Sequence, residues 1–344
     1  MTARNIEPEF SKGRVNKAGR NVRAGTATDD DIVVIENWRA AHNKILNDWQ
    51  ATLRGRCRGK SITFAQRLKR RSTIFDKLKR QPDMELARMH DIAGCRLIFS
   101  SIEELQAFRE KLHKSWMKHK RRKADEKPYP YDYIHHPHRD NSGYRGIHDI
   151  YTYTARPGRA NAWNGLLVEI QYRTAAQHAW ATANEIAGSL TGNHSKFGRG
   201  EEGQKEFFRL ASEIIARNSE GLKSCYLDKS NKEVVKLFRQ NEDTTHLLRR
   251  LEQIRIVSEQ SDFTKQNIIL VHNEEQNKLT VYSYKTLPIA QEKYFELEKQ
   301  HGDAVDIVLV RAPSEESLRQ AYKNYFSDTA DFVALVRDGI KNLK

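Results

Sequence analysis

The stretch GLLVEIQYRT, at positions 165–174, decides the fold. Side chains on a β-strand alternate between its two faces. The apolar residues of this stretch therefore share one face and the polar residues share the other: Leu166, Val168, Ile170 and Tyr172 against Glu169, Gln171 and Arg173. The polar face is either the solvent side of an ordinary antiparallel strand or the floor of a binding site. In both cases the stretch predicts a strand that packs on a core by one face.

Two further strands are predicted upstream of this one. They are GIHDIYTYTA (146–155) and the short apolar run DIAGCRLIFS (91–100). Between them, Ser101 and Glu104 form a capping-box pattern that opens a helix over IEELQAFREKLHKSW. Helices are also predicted directly after the central strand, over TAAQHAWATANEIAGSL and EEGQKEFFRLASEIIARNSEGLK.

The N-terminal part adds more helix. Residues 1–34 form a basic segment, and a helix begins at Thr28 or Asp29 with acidic residues in its first turn. SITFAQRLKRRSTIFDKLKRQ (61–81) predicts another helix. Together these elements predict an α/β fold with a mixed sheet of about five strands flanked by helices, which we assign to a domain over residues 35–225.

The sequence changes character after residue 225. A polar helix leads into the predicted hairpin of NIILVH and KLTVYSY, followed by a helix, the strand AVDIVLV and two more helices. This order predicts a small ββαβα domain within residues 226–344, behind a helical linker. Its role is open between regulation, interaction with a partner and stabilisation of an oligomer.

Charge is distributed unevenly along the 344 residues, whose formal net charge is +14. Residues 1–225 carry 41 Lys and Arg against 26 Asp and Glu, whereas residues 226–344 carry 18 against 19. A basic region joined to a neutral one indicates a polyanion-binding domain, with a merely soluble surface as the alternative. No apolar run approaches a membrane span, and three scattered cysteines favour the reducing cytoplasm. We therefore expect a cytoplasmic protein without a membrane partner.

The segment HRDNSGYRGIHDIY (138–151) combines glycines with aromatic and basic residues. Gly143 and Gly146 flank Tyr144 and Arg145, so the backbone can approach a ligand closely. His138, Arg139 and Arg145 supply positive charge for phosphates. By itself this segment is a weak indication of a nucleotide-binding loop.

Basic residues are concentrated between positions 67 and 77, and one acidic residue opens the strand that follows. The basic residues are Arg67, Lys69, Arg70, Arg71 and Lys77. Alone they indicate only generic anion binding. Asp91 is a candidate metal ligand or a simple cap. We set aside the His90-Asp91 dipeptide, typical of metal-dependent phosphohydrolases, because further His and Asp ligands are not evident.

Taken together, the motifs resemble the synthetase domain of RelA/SpoT enzymes over roughly residues 35–220. They occur in this order: RLK at 67–69, DIAGCR at 91–96, GYRGIH at 143–148, VEIQYRT at 168–174 and QHAWA at 177–181. The resemblance implies a pyrophosphokinase that moves the β,γ-pyrophosphate of ATP to the 3′-hydroxyl of GDP or GTP, with Mg²⁺ as cofactor.

The resemblance also implies roles for individual residues. Asp91 and Glu169 would be catalytic and hold the metal, with Glu169 helping to deprotonate the attacking hydroxyl. The ATP-binding residues would be Arg67, Lys69, Lys77 and Arg96. Tyr144 would stack on the acceptor base. The other acceptor-binding residues would be His138, Arg139, Arg145, His148, Gln171, Arg173 and His178.

The acceptor stays open because PHRDNSGY departs from the lysine-containing family pattern before the tyrosine, and because YPYD replaces a charged tetrapeptide. Compact relatives include toxins that modify the 3′ CCA end of tRNA or make adenosine alarmones. The basic region favours tRNA over a mononucleotide. In that alternative the C-terminal domain would neutralise the toxin or sense a signal. A homo-oligomer is compatible with either interpretation.

Overall fold

The computed structural model describes residues 6–115, 117–122, 131–136, 142–155, 161–192, 200–253, 258–260, 265–273, 278–302, 305–312, 314–322 and 328–343. A five-stranded mixed sheet forms the centre of the first domain. Its strands are β1 (Thr63–Leu68), β2 (Ala93–Phe99), β3 (Lys120–Arg121), β4 (Ile147–Thr152) and β5 (Leu167–Thr174). They lie in the order β1-β2-β5-β4-β3, and the pair β2 and β5 is parallel whereas the other pairs are antiparallel. The predicted mixed sheet of about five strands is confirmed.

One face of this sheet forms the main apolar core together with four helices, α1 (Lys12–Ala24), α2 (Asp29–Cys57), α3 (Arg71–Arg80) and α4 (Ile102–Lys114). Helices α2 and α4 pack on the strands, and α1 packs on α2 and α3. Thr28 caps α2 in a complete capping box with Asp31. Val168, Ile170 and Tyr172 of β5 are fully buried in this core, as the alternation along β5 predicts.

The helix predicted over residues 61–81 is wrong in its first half. Thr63–Leu68 is strand β1, and only α3 (Arg71–Arg80) is helical. The segment pairs along its whole length with β2, so tertiary pairing determines its conformation. Gln66 is buried on the core side of β1, which hides the apolar–polar alternation that usually marks a strand.

A second core is entirely helical. It contains α5 (Ala175–Gly192), α6 (Gly200–Glu220), α7 (Asn231–Thr245), α8 (Leu247–Gln253) and α11 (Ala330–Asn342). Phe207 and Phe208 of α6 are buried against Phe332 of α11, and Phe207 also contacts Phe238 of α7. This core therefore crosses the predicted domain boundary at residues 225 and 226.

A four-stranded sheet forms the body of the C-terminal domain. It contains β6 (Ser258–Gln260), β7 (Asn267–Asn273), β8 (Lys278–Tyr284) and β9 (Asp306–Arg311) in the order β6-β8-β7-β9. Helices α9 (Leu287–His301) and α10 (Glu315–Ala321) complete the predicted ββαβα order. Ala65 of β1 belongs to the core of this sheet, so the two sheets pack directly on each other. Within the described residues, none of the helices is long and apolar enough to cross a membrane.

Candidate active site

The polar face of the five-stranded sheet collects most of the predicted site residues. Gly94 of β2 is paired with Arg67 of β1 on one side and with Glu169 of β5 on the other. Two residues farther along the same face, Arg96 is paired with Gln171. His148 of β4 lies on the other side of Gln171. Because glycine has no side chain, the middle of this face is open between Arg67 and Glu169.

Asp91, just before β2, lies between two lysines. Its two carboxylate oxygens are each 2.9 Å from an ammonium group, Oδ2 from Lys69 Nζ and Oδ1 from Lys77 Nζ. Burial on its own raises the pKa of Asp91, but the two lysines bring it below the ordinary value. Asp91 is therefore a carboxylate at neutral pH, and both lysines are held at its side.

Glu169 is buried on β5 and surrounded by groups that favour its charged form. Its Oε1 lies 3.0 Å from His148 Nδ1 and 3.5 Å from His90 Nε2, and Gln171 Nε2 donates to Oε2 at 2.7 Å. Burial opposes ionisation, yet His148, His90 and Gln171 hold the pKa of Glu169 well below its usual range. Tyr144 and Glu169 in turn overcome the burial of His148 and raise its pKa to about 9. The pair is therefore a carboxylate beside an imidazolium.

Tyr144 lies half-buried at the edge of the same face. Its hydroxyl oxygen is 2.6 Å from His148 Nε2 and accepts hydrogen bonds from Arg173 Nε and Nη2 at 3.3 and 3.1 Å. The Arg173 guanidinium also lies 5.1 Å from the centre of the Tyr144 ring. Tyr144, His148, Glu169, Gln171 and Arg173 thus form one connected polar network.

The loop that carries Tyr144 is fixed by α6. Gly143 has φ of +87°, and its carbonyl accepts a hydrogen bond from Ser212 Oγ at 2.6 Å. A Cβ at this position would lie 3.1 Å from the backbone of α6, so glycine is required both by its φ and by the close approach.

A cavity of about 160 Å³ lies over the polar face between β1, β2 and β5. Its charged lining residues are Arg67, Lys69, Asp91, Arg96, Glu169, Arg173 and Glu185. Burial, together with the nearby Arg173 and Arg67, lowers the pKa of Arg96 to about 10 although Glu185 opposes this. The cavity thus combines cationic groups for phosphates with carboxylates for a metal.

Two predicted acceptor-binding residues are engaged away from this network. Arg145 is buried and forms an ion pair with Glu220 at the end of α6. His178 is buried on α5, and its Nε2 lies 3.1 Å from the main-chain oxygen of Gln320 in α10. His138 and Arg139 lie outside the described residues. The roles of these four residues stay predictions.

The C-terminal domain closes one side of the cavity. Tyr322, directly after α10, is buried, and its ring lines the cavity beside Arg67 and Arg96. The Tyr322 hydroxyl accepts a hydrogen bond from the Gln66 N–H at 3.0 Å and donates one to the Gln66 carbonyl oxygen. Both backbone groups face the outer edge of β1, so Tyr322 takes the place of a neighbouring strand there.

The residues present fit a magnesium ion. Mg²⁺ prefers one or two carboxylates together with phosphate oxygens. Asp91 and Glu169 supply two ionised carboxylates to one cavity. In the described part of the chain no group of three or more His, Cys, Asp or Glu side chains has an arrangement that could hold a metal ion by itself. A metal here would accordingly take its remaining ligands from a nucleotide.

Sequence reasoning missed three residues of the cavity region, His90, Glu185 and Tyr322. His90 was set aside with the His90-Asp91 dipeptide, although its imidazole faces Glu169. Glu185 lies seven residues, or about two helical turns, after His178 on the same face of α5, which is a signal that helix periodicity could have given. Tyr322 is remote in sequence from every other cavity residue, so local patterns contain no sign of it.

Part of the chain is similar to known proteins. Residues 66–188 match the family model described as "Region found in RelA / SpoT proteins". The GTP pyrophosphokinase YjbM of Bacillus subtilis is 32% identical over 156 residues, which cover 45% of this chain and 66% of the relative. An uncharacterized protein of Mycobacterium tuberculosis is 27% identical over 191 residues, which cover 55% of this chain and 63% of that protein's length.

Two of the solved structures that are similar to this chain are small alarmone synthetases from Bacillus subtilis. Synthetase 1, bound to its product pppGpp, has a TM-score of 0.42 and 24% identity, with 52% of this chain and 89% of that chain covered. Synthetase 2 has a TM-score of 0.41 and 24% identity, and the match covers 52% of this chain and 91% of that chain.

Proposed function

We propose that this chain, which carries a RelA/SpoT region at residues 66–188, transfers the β,γ-pyrophosphate of ATP to the 3′-hydroxyl of GDP or GTP. The observation that supports this most directly is the convergence of Asp91 and Glu169 with Arg67, Lys69 and Arg96 in one cavity. Two carboxylates among cations are what a metal-assisted reaction of phosphates requires.

In the proposed reaction the 3′-oxygen attacks the β-phosphorus of ATP, the bond from the β-phosphorus to the oxygen that bridges the α-phosphate breaks, AMP leaves with that oxygen, and the hydroxyl proton is released to solvent. Bound Mg²⁺ would neutralise phosphate charge, and Asp91 and Glu169 are the residues that would hold it. Lys69 and Lys77, now on Asp91, would turn to the phosphates of ATP. The low pKa of Glu169 makes it a weak base. We therefore assign it to metal binding and orientation of the hydroxyl more than to proton abstraction.

Tyr144 is proposed to contact the acceptor base. The Arg173 guanidinium lies over its ring, and its hydroxyl is held by His148 and Arg173. The ring is thus fixed in orientation beside Glu169, which favours a stacking role close to the reacting hydroxyl. An acceptor would displace the Arg173 contact or stack on the opposite side of the ring.

A second candidate is the same chemistry on the 3′ end of tRNA, with the C-terminal domain as a restraint. The specific observation in its favour is the small volume of the cavity, which Tyr322 borders on one side. Sites for molecules of nucleotide size have volumes of roughly 300–1,000 Å³, whereas this cavity has about 160 Å³ beneath Tyr322. A growth-arresting enzyme needs such a restraint, and the basic region at 1–225 suits a polyanionic acceptor.

One experiment separates these candidates. The full-length protein is incubated with γ-³²P-labelled ATP and Mg²⁺ in separate reactions with GDP, GTP, ATP or deacylated tRNA, and the products are resolved by chromatography and by gel. We expect label in a guanosine product. Label in tRNA alone would replace the leading proposal with the second. Glu169→Gln and Asp91→Asn serve as controls and should abolish transfer while the circular dichroism spectrum is unchanged. If both retained turnover, the assigned site would be wrong.

A further inference from the structure

Arg39 on α2 is completely buried, and all five of its N–H groups have partners. Nε donates to the main-chain oxygen of Lys69 at 2.7 Å. Nη1 donates to Glu36 at 3.3 Å and to Glu298 at 2.8 Å, and Nη2 donates to Glu298 at 2.8 Å and to the Tyr294 hydroxyl at 2.6 Å. A bidentate pair with a carboxylate is one of the strong hydrogen-bonded arrangements of arginine.

The Lys69 peptide lies in the two-residue link between β1 and α3. Its N–H donates to the Ile92 carbonyl at 2.8 Å, and its own carbonyl accepts from Arg39. Its side chain reaches Asp91 at 2.9 Å. The ladder of β1 ends one residue earlier, and the first turn of α3 begins from Arg70. The orientation of Lys69 toward Asp91 therefore depends on Ile92 on one side and on Arg39 on the other.

The groups that compensate the charge of Arg39 come mainly from the C-terminal domain. Glu298 and Tyr294 lie one helical turn apart on α9, more than 250 positions along the chain from Arg39, and Tyr294 also donates to Glu298 at 2.7 Å. A buried arginine without its carboxylate is strongly destabilised. A change at Glu298 should therefore be felt at Arg39 and, through Arg39, at the peptide of Lys69.

We propose that Arg39 is a positioning residue for Lys69 and that Glu298 of α9 holds Arg39 in that role. The C-terminal domain then acts on the nucleotide site in two separable ways: α10 and Tyr322 cover it, and α9 supports it through Arg39. This inference rests on the proposed function for the identity of the ligand, ATP, but the mechanical link from Glu298 to Lys69 does not.

The test is Glu298→Gln in the full-length protein. The amide retains the shape of the side chain but turns one acceptor oxygen into a donor that faces Arg39. A cavity of about 330 Å³ borders Glu298, so water can hydrate the altered side chain and the variant should fold. Glu296→Gln is the matched control, because Glu296 lies on the same helix and, among the residues that the structure describes, forms an exposed ion pair with Lys293 and none with Arg39.

Two readouts are measured. Amide hydrogen exchange of the peptides that cover residues 69–74 should become faster in Glu298→Gln and remain unchanged in Glu296→Gln. The KM for ATP should rise about tenfold, as expected for a small misplacement of a binding group, while the KM for the acceptor is unchanged. Arg39→Lys preserves the positive charge but lacks the planar guanidinium with its paired N–H donors. It should give the same changes in hydrogen exchange and in the KM for ATP. Where the covered cavity limits ATP access, the comparison is repeated in the Tyr322→Phe background.

The outcomes separate this inference from the proposed function. Unchanged exchange at residues 69–74 in Glu298→Gln would overturn the link. Equal increases in both KM values, or faster exchange throughout the chain, would mean that Arg39 is only a structural residue. If the wild-type protein transferred pyrophosphate to none of the acceptors, the proposed function would fail. Faster exchange confined to residues 69–74, with weaker binding of a non-hydrolysable ATP analogue, would still support the link.

Discussion

Replacement of Tyr322 by phenylalanine tests whether the C-terminal domain holds the cavity closed. The Tyr322 hydroxyl forms two hydrogen bonds with the backbone of Gln66, one in each direction. Phenylalanine removes both and preserves the ring. Each such bond contributes about 0.5–1.5 kcal/mol net, so the closed arrangement should lose about 1–3 kcal/mol relative to one in which Gln66 meets water. Since 1.4 kcal/mol corresponds to a factor of ten, the open fraction should rise by roughly fivefold to a hundredfold while it is small.

The assay is the initial rate of pyrophosphate transfer at an ATP concentration below KM, where the rate follows the open fraction. Tyr322→Phe should be faster than wild type, and a fluorescent ATP analogue should bind more tightly. Tyr282→Phe is the control, because Tyr282 is a partly exposed tyrosine on β8 of the same domain. An equal or slower rate in Tyr322→Phe, with the thermal midpoint retained, would show that Tyr322 is a structural contact or part of the ATP site and refute the restraint.

Three further predictions concern other parts of the chain. Tyr144→Ala should weaken use of the acceptor by about 1–3 kcal/mol with little change for ATP, while Tyr144→Phe should retain stacking; separate titrations of the two substrates check this, and equal losses for both would mean that the loop is structural. Replacement of Lys118, Lys120, Arg121 and Arg122 by Glu should cripple binding of tRNA and flatten its salt dependence if tRNA is the acceptor, whereas unchanged tRNA binding would exclude this surface. Asp149, buried beside Arg109 and His113, has a pKa lowered to about 2 by those partners against the opposing effect of burial. Its contribution to stability is therefore present above about pH 4 and is lost as the pH falls toward 2. Asp149→Asn should cost about 3–5 kcal/mol near pH 7 and clearly less near pH 2.5 in denaturant titrations, and a pH-independent difference would contradict the ion pair.

The polar face of the sheet was predictable where the sequence alternates cleanly. In β5 an apolar residue precedes each of Glu169, Gln171 and Arg173, so the face that carries these three follows from the two-residue period alone. The same reasoning failed for β1, because Gln66 is polar but buried on the core side, and Ala65 is apolar but lies on the polar face beside Arg96. Strand β1 is determined by its pairing with β2, which is contact between segments about 30 positions apart.

The partners of individual side chains were less predictable than their faces. The sequence suggests that Lys69 and Lys77 bind anions, and the anion that they contact in the structure is Asp91. Arg145 was expected near a phosphate, and it is buried against Glu220. Such choices depend on which carboxylates the fold brings within reach. Neither composition nor spacing contains that information when the partner lies tens of residues away.

The helical core has a consequence for how the C-terminal sheet can move. Helices α7 and α8 pack on α6, the second sheet follows in the chain, and α11 then packs on α6 again. Gly339 of α11 lies so close to Ile214 of α6 that a Cβ at this position would overlap it. The sheet is thus an insertion anchored at both ends, in contrast to an appendage on a free tail. Truncation after residue 228 would expose Phe207 and Phe208, whereas excision between α8 and α11 would leave that core intact. An insertion tethered twice also faces its docking site at an effective concentration on the order of millimolar or more. Its release from β1 is consequently reversible within one molecule and independent of protein concentration.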